Sequence, residues 1–339
     1  MYVAAQDGRW HLRCHSLADG LHIIRKLTKP GNIVIVGELF IDEILSEFHK
    51  LPKLGEESFA RKFRREVGGG AAITAYGLAR LGVQVAVIGV VGKEDGSWVT
   101  KRLSSCGADV SVIELHPTEP TGLTVSASTR EDRAFFSYYG ANDRLPQILR
   151  KPAVLALMSK APLVHFACAP DSQLDAPLLQ TLRRRRCRIS LDVQAHMGWL
   201  TKPDNLSIVR QCDMFFPNEQ EAEWMSGETG THRILRALRD KGLRGVGLKL
   251  GGKGAALLWR RRIILSDGYA VETVDTTGAG DGFNAGFIYG WLRGDPPQRC
   301  LETANMCGAL STRALGGISS FPTVQELEQF EALHAKQKV

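Results

Sequence analysis

Apolar residues fall along this chain in short blocks of strand length, separated by longer stretches with helical spacing. The first block is Asn32-Ile-Val-Ile-Val-Gly37, closed by a glycine. Further blocks at 85–90, 163–166 and 189–192 read as strands, with helices over 95–105, 146–159 and 173–184 between them. Strands alternating with helices of this length predict parallel βαβ units. The fold class expected is therefore α/β, a doubly wound and mostly parallel sheet with helices on both faces. Three segments stand apart. From 59 to 67 large and charged residues alternate, Leu123, Val125 and Ala127 alternate with Thr124, Ser126 and Ser128, and 133–139 is again strand-like. A period of two marks strands with one covered and one open face. These strands, within about 52–67 and 121–139, predict a small β-sheet that could serve as a lid excluding water. Open edges on such a sheet would let two copies of the chain pair as a homodimer through the lid. The domain reading is a loosely ordered leader over 1–31, one domain over 32–322 and a C-terminal helix over 323–339.

The most informative stretch lies late in the chain, Asp275-Thr-Thr-Gly-Ala-Gly-Asp281-Gly-Phe-Asn-Ala-Gly-Phe-Ile-Tyr-Gly290. It reads as a turn opening directly into a helix. Phe283, Phe287 and Trp291 form one stripe at helical spacing, and Gly282, Gly286 and Gly290 form another, as suits a helix packed tightly in a core. The first N–H groups of a helix have no partner within it, and with the dipole they make an anion site. Asp281 is out of place there, because a carboxylate repels an anion. On the residues alone it is either a helix cap or a chemical group.

Composition narrows the class. The chain has 339 residues, 44% hydrophobic and 23% charged, enough for one large core. No run approaches the roughly 18 apolar residues of a membrane span, and the first 30 residues lack a signal-peptide block. Seven cysteines at 14, 106, 168, 187, 212, 300 and 307 include no C-x-x-C pair, which suits a reducing cytoplasm. His11, Cys14, His15 and His22 have no recognised metal spacing. The formal charge of +7 comes partly from arginine runs at 61–65, 183–186 and 260–262. Each borders a predicted element end, so neither a nucleic-acid nor a membrane partner is expected.

Four further places carry candidate chemistry. Asp42 follows the first strand, where open α/β sheets bind ligands, although a cap or a surface acid is an equal reading. Val67-Gly-Gly-Gly70 enters a helix with Ala72, Ala75 and Ala79 on one face. Phe216-Pro-Asn218-Glu-Gln-Glu221 opens another helix, as an ordinary acidic start or as a magnesium environment. Gly251-Gly-Lys-Gly254 is a glycine-rich turn between strands 246–250 and 255–259, and it is not a Walker A loop.

In this order, across residues 33–322, these stretches resemble the PfkB-type carbohydrate kinases, the ribokinase-like family. The resemblance implies that Gly278, Ala279 and Gly280 form an anion hole and that Asp281 is the catalytic base, its pKa kept low by the helix terminus. It implies that Asp42, Gly68, Gly69 and Gly70 hold the acceptor, that Lys249, Gly251, Gly254 and Asn305 lie on the ATP side, and that Asn218 and Glu221 orient Mg²⁺ through water. Asp275, Thr277, Ser311, Gly316 and Ser320 match the family's monovalent-cation loop, a K⁺ site. Ile73 departs from the pattern, since relatives carry an asparagine there that contacts sugar hydroxyls. The reaction implied is transfer of the ATP γ-phosphoryl to a hydroxyl of a sugar such as ribose, fructose or 2-keto-3-deoxygluconate. A nucleoside kinase and a catalytically silent sugar-binding regulator are the alternatives. A dinucleotide enzyme is not supported, because Val36-Gly37-Glu38 lacks the following glycines.

Overall fold

A computed structural model describes residues 32–129, 133–171, 175–194 and 196–335. The leader expected over 1–31 lies outside the described residues. The strands are β1 (Ile33–Gly37), β2 (Phe40–Ser46), β3 (Lys62–Gly68), β4 (Val85–Ile88), β5 (Val90–Gly92), β6 (Glu114–His116) and β7 (Gly122–Ser128). They continue with β8 (Arg133–Tyr138), β9 (Leu163–Ala167), β10 (Arg188–Asp192), β11 (Met214–Phe215), β12 (Gly245–Lys249), β13 (Ala255–Trp259) and β14 (Arg262–Ser266).

Eight of these strands form the main sheet in the order β14-β13-β12-β11-β10-β9-β1-β4. All pairings from β12 to β4 are parallel, and β13 and β14 extend the sheet antiparallel. The continuous apolar run of β1, and that of β9 broken only by the buried His165, follow from burial on both faces. Val34, Val36 and Phe166 belong to one core, whereas Ile33, Ile35 and Leu163 belong to the other. Helices Ala176–Arg184 and Thr231–Asp240 cover the first core through Leu182, Leu235 and Leu238. Helices Gly70–Arg80, Ala279–Arg293 and Pro297–Ser311 cover the second.

A second, four-stranded sheet runs β3-β2-β7-β8, with β2 and β7 parallel and both edges antiparallel. Three details of the sequence reading change. The strand expected over 59–67 begins at Lys62, and β2 was not foreseen, because Asp42 is buried within it and interrupts its alternation. Asp42 thus sits inside a strand of the small sheet, not beyond the end of a main-sheet strand. The strand expected over 85–90 divides at Gly89, where a Cβ would stand 2.6 Å from Leu39 Cδ1; β4 stays in the main sheet and β5 leaves to pair with β6. The helix expected over 146–159 is two, Leu145–Leu149 and Pro152–Met158, because Lys151 before the proline is extended, at φ −65° and ψ 129°. The C-terminal helix is described over Val324–Ala335.

The glycine stripe of the long helix has a direct structural cause. A Cβ on Gly286 would lie 2.7 Å from the Thr303 carbonyl oxygen and 2.9 Å from Ala304 Cα, both on the neighbouring helix. Gly282 faces Ser311 and Gly290 faces Cys300 in the same way. We expect Gly286→Val to overpack this contact and lower stability by roughly 1–3 kcal/mol or more. Gly198→Ala, with nothing within 4 Å of its Cβ position, should shift it by no more than about 0.5 kcal/mol. Urea unfolding midpoints for both variants test this; an unmoved midpoint for Gly286→Val would mean that the two helices do not pack as described.

Candidate active site

The turn at 275–281 is held from beneath by one carboxylate. Asp275 Oδ1 accepts the Thr277 N–H at 2.9 Å and its hydroxyl at 2.7 Å, and Oδ2 accepts the Gly316 N–H at 2.9 Å. The Val274 and Asp275 N–H groups both donate to the Thr312 carbonyl, at 2.8 and 3.0 Å. Gly278 then takes φ 74°, a left-handed conformation open to glycine, and the helix starts at Ala279. The Ala279 N–H is already bonded to the Thr276 carbonyl at 3.2 Å, and that of Gly282 to the Gly278 carbonyl at 2.8 Å. Among the described residues, the N–H groups of Gly278, Gly280 and Asp281 have no such partner.

The same turn lies between two cavities. Thr276, Ala279 and Gly280 line the first, while Thr277, Gly278 and Asp281 line the second. The first, of about 220 Å³, also contains Lys249, Gly251, Gly254 and Asn305, so all the residues expected on the ATP side border one space. Gly254 has a structural reason to be glycine, since φ is 99° and a Cβ would lie 2.1 Å from the Ser266 carbonyl oxygen. Asn305 Nδ2 reaches the Ser266 and Asp267 carbonyls at 3.2 and 3.1 Å and secures the cavity's far wall.

The second cavity, of about 340 Å³, lies between the small sheet and the C-terminal ends of the main strands. Glu38, Asp42, Gly69, Gly70, Ile73, Gln194 and Asp281 line it. Gly68 sits just behind, its Cβ position 2.1 Å from Asp42 Oδ1. A Cβ on Gly69 would be 2.4 Å from the Glu38 carbonyl, and one on Gly70 would be 2.4 Å from Gln194 Nε2 and 3.0 Å from Asp281 Oδ1. The glycine triplet therefore lets three acidic positions approach the start of helix Gly70–Arg80. Asn142 fixes the wall behind them, accepting the Leu39 N–H at 2.9 Å and donating to its carbonyl at 3.0 Å.

Charge links the two cavities. Lys249 Nζ lies 2.7 Å from Asp192 Oδ2, and Asn284 Nδ2 donates to the same oxygen at 2.7 Å. Gln194 donates its N–H to Asp192 Oδ1 at 3.0 Å and its side-chain amide to Asp281 Oδ1 at 3.2 Å. Burial alone would lower the Lys249 ammonium, but Asp192 and Glu221 outweigh it and hold the group above its ordinary value. Burial would likewise raise Asp192, yet Lys249 and two amide donors keep it below the usual carboxylate range. Asp281 behaves otherwise than expected. Burial and the nearby Asp192 push its carboxyl up to about 7, outweighing Lys249 and the Gln194 hydrogen bond. A helix terminus contributes at most about 2 kcal/mol, and desolvation of a buried carboxylate shifts a pKa by several units. The expectation of a low pKa is therefore corrected. Asp42 is raised to about 7 as well, by burial and then by Asp275, Asp281 and Glu66.

Asn218 and Glu221 form a reciprocal cap. The Glu221 N–H donates to Asn218 Oδ1, and Glu221 accepts the Asn218 N–H and side-chain amide, all at 2.8–2.9 Å. Burial lifts the Glu221 carboxyl above its ordinary value, Lys249 opposing. Among the described residues, no three His, Cys, Asp or Glu side chains are grouped to hold a metal ion. A single carboxylate such as Glu221, buried and with both oxygens accepting from Asn218, is a donor Mg²⁺ could use through water, because that ion keeps several waters. The monovalent-cation residues fit less well. Asp275 and Gly316 do meet, but both Asp275 oxygens are occupied, Arg133 Nη1 lies 3.4 Å from Oδ1, and the Ser320 hydroxyl takes the Ser311 carbonyl at 2.7 Å. The guanidinium already supplies the positive charge a cation would bring.

Sequence reading missed Glu38, Asp192, Gln194 and Asn284. Glu38 and Asp192 were within reach of it, since each lies at or just past the C-terminal end of a predicted strand, the signal applied to Asp42.

A model of the family described as "pfkB family carbohydrate kinase" matches residues 31–324. The chain is 26% identical over 309 residues to a ribokinase of Haemophilus influenzae, covering 88% of this chain and 97% of that one. It is 29% identical over 286 residues to a 2-dehydro-3-deoxygluconokinase of Bacillus subtilis, covering 79% and 87%. Among solved structures, an Arabidopsis thaliana ribokinase complexed with ribose and ATP shares the fold at a TM-score of 0.74 and 23% identity, over 89% of this chain and 98% of that one.

The raised carboxyls set an expected titration. In ligand-free protein, the Asp281 carboxyl should titrate near pH 7 by carbon NMR, and a midpoint near 4 would restore the helix terminus as the dominant influence. The linkage sign follows. A carboxyl raised on folding stabilises the fold fully below its unfolded value of 3.8, and that contribution is lost as pH rises to about 7. Asp42→Asn should therefore be more stable than wild type to urea at pH 8, with the difference vanishing below about pH 4.

Proposed function

Because the chain belongs to the pfkB family of carbohydrate kinases, phosphotransferases with a hydroxyl acceptor, we propose that it moves the γ-phosphoryl group of ATP to a hydroxyl of a sugar or nucleoside. One observation carries this reading: neighbouring residues of a single helix-opening turn line two different cavities. A donor in the first and an acceptor in the second would meet at that turn. ATP as donor is supported by the kinase family and by the ATP-bound neighbour of the same fold.

In this mechanism the acceptor oxygen forms a bond to the γ-phosphorus as the bridging bond to the β-phosphate breaks, and its electron pair leaves with ADP. Asp281, which lines the acceptor cavity, takes the proton released by the attacking hydroxyl. A carboxyl lifted to about 7 is well matched to that task at neutral pH. The N–H groups of Gly278 and Gly280 face the charge that spreads over the transferring phosphoryl, joined by that of Ala279 once it releases the Thr276 carbonyl. Lys249, fixed by Asp192, adds a buried positive charge beside them. Magnesium would be held through water by Glu221 and Asn218, where it neutralises phosphate charge. Asp42 accepts hydrogen bonds from hydroxyls of the acceptor, Gly69 and Gly70 bring the backbone close to it, and the small sheet shields the site from water. We also read the outer face of that sheet, where Phe63, Phe136 and Tyr138 are 63%, 66% and 51% exposed, as the surface a second copy covers. A monomer in analytical ultracentrifugation would remove that last point.

The test is a coupled ADP-release assay with Mg-ATP and a panel of sugars and nucleosides. Asp281→Asn should lower kcat by roughly 10²–10⁴-fold with ATP binding kept. Asp42→Ala should raise KM for the acceptor far more than for ATP. Full turnover by Asp281→Asn would take the base role from that residue, and equal KM effects would take Asp42 out of the acceptor site.

A further inference from the structure

The second cavity is unusual in its balance of charge. Glu38, Asp42 and Asp281 all line it and are 6%, 6% and 7% exposed, while no lysine, arginine or histidine lines it among the described residues. The cations around it are already engaged. Lys249 pairs with Asp192, Arg133 pairs with Asp275 and lies over the Phe135 ring at 5.2 Å, and His196 Nε2 stands 3.7 Å from Glu38 Oε1. The other polar side chains lining the space are neutral, namely Thr124, Ser126, Ser137, Gln194 and Thr277, whose hydroxyl donates to Asp275. Phe40, Ile44 and Phe135 are interleaved with Thr124, Ser126 and Ser137 on the same face of the small sheet, and Ile73 adds an apolar side chain from helix Gly70–Arg80.

We propose that the acceptor is an uncharged polyhydroxyl compound presenting one apolar edge, that Glu38 grips its hydroxyls alongside Asp42, and that sugar phosphates and sugar acids are excluded. The proposal rests on the kinase reading of this cavity and decides between acceptor classes that the reading leaves together. Carboxylates accept hydrogen bonds and donate none when ionised, so a ring of them matches hydroxyl donors and repels a phosphate or carboxylate. As anions, Asp42 is already disfavoured by burial and by Asp275 and Asp281, and Asp281 by burial and by Asp192, which a further anion in the same space would increase. Glu38 is positioned for the role by the Tyr139 hydroxyl, which donates to Oε1, and by the Ala167 carbonyl, which accepts its N–H. The hydrophobic side chain of Ile73 sits on the wall that a deoxygenated edge or a nucleobase would meet.

The experiment uses the full chain. Isothermal titration with ribose, fructose, inosine, 2-keto-3-deoxygluconate and fructose 6-phosphate, in the presence of magnesium and a non-hydrolysable ATP analogue, is run beside ADP-release kinetics on the same panel. At least one neutral compound should bind, and its kcat/KM should exceed that of either anion by roughly 10²-fold or more. An anion binding or turning over within about tenfold of the best neutral compound would overturn the proposal while leaving the kinase reading intact. Neutral binding without turnover would do the reverse. Binding by no neutral compound overturns the proposal outright. Glu38→Gln should raise the acceptor KM by about tenfold with the ATP KM unchanged, whereas a merely structural role would move both. Ser137→Arg, at an exposed position on the cavity's rim, should narrow the gap between anionic and neutral acceptors, and an unchanged ratio would count against charge as the selecting force.

Discussion

The buried ion pair between Lys249 and Asp192 is the contact on which the site depends. It joins the C-terminal ends of β12 and β10, and Asn284 adds the helix Ala279–Arg293 to the same oxygen. Both charges are removed from water, Asp192 at 2% and Lys249 at 14% side-chain exposure. Desolvation of two ions is repaid only where geometry and extra hydrogen bonds are good, and here each Asp192 oxygen has a donor. Taking away one partner would strand the other at a cost of about 3–5 kcal/mol. The pair also sets the electrostatics of Asp281, because Asp192 raises that carboxyl and Lys249 lowers it. Structure and proposed chemistry are thus bound to one interaction.

From that anchor the turn inherits its position. The helix is fixed sideways by glycines against Pro297–Ser311 and at its start by the Asp275 hydrogen bonds to Thr277 and Gly316. A helix start held on both sides keeps its unpaired N–H groups aimed at the boundary between two cavities. Reorganisation at the moment of reaction is then small, which is the condition under which such dipoles stabilise developing charge.

Much of this was legible in the sequence where a signal is local. The apolar blocks of β1, β9 and β10, the glycine stripe facing a neighbouring helix and the turn entering that helix are all short-range patterns, and the doubly wound sheet follows from them. The Asp281 pKa was not legible, because it depends on Asp192, far away in sequence, and on burial that no motif records. β2 escaped notice for a related reason: a strand that buries an aspartate violates the alternation by which strands are recognised. The split of the helix at 145–158 was readable from Pro152, since a proline constrains the residue before it.

The two cavities also differ in how they are built. That difference explains why all the residues expected at the first were found there, while the second was read in Asp42, the glycines and Asp281 but without Glu38 or Gln194. The first cavity takes much of its wall from two stretches contiguous in sequence, 249–254 and 276–280, and Gly254 among them is demanded by a backbone geometry that a side chain would block. The second takes Glu38 from just past β1, Phe40, Asp42 and Ile44 from β2, Thr124 and Ser126 from β7, and Phe135 and Ser137 from β8, no more than three side chains from any one strand. Strand side chains alternate faces, so each of these positions can change without disturbing the ladder that carries it. On the proposed reading, backbone constraints would mark the phosphate side and exchangeable side chains would select the acceptor. In this chain those side chains are acids, hydroxyls and apolar groups, and on the proposed reading their summed charge, more than any single residue, selects the acceptor.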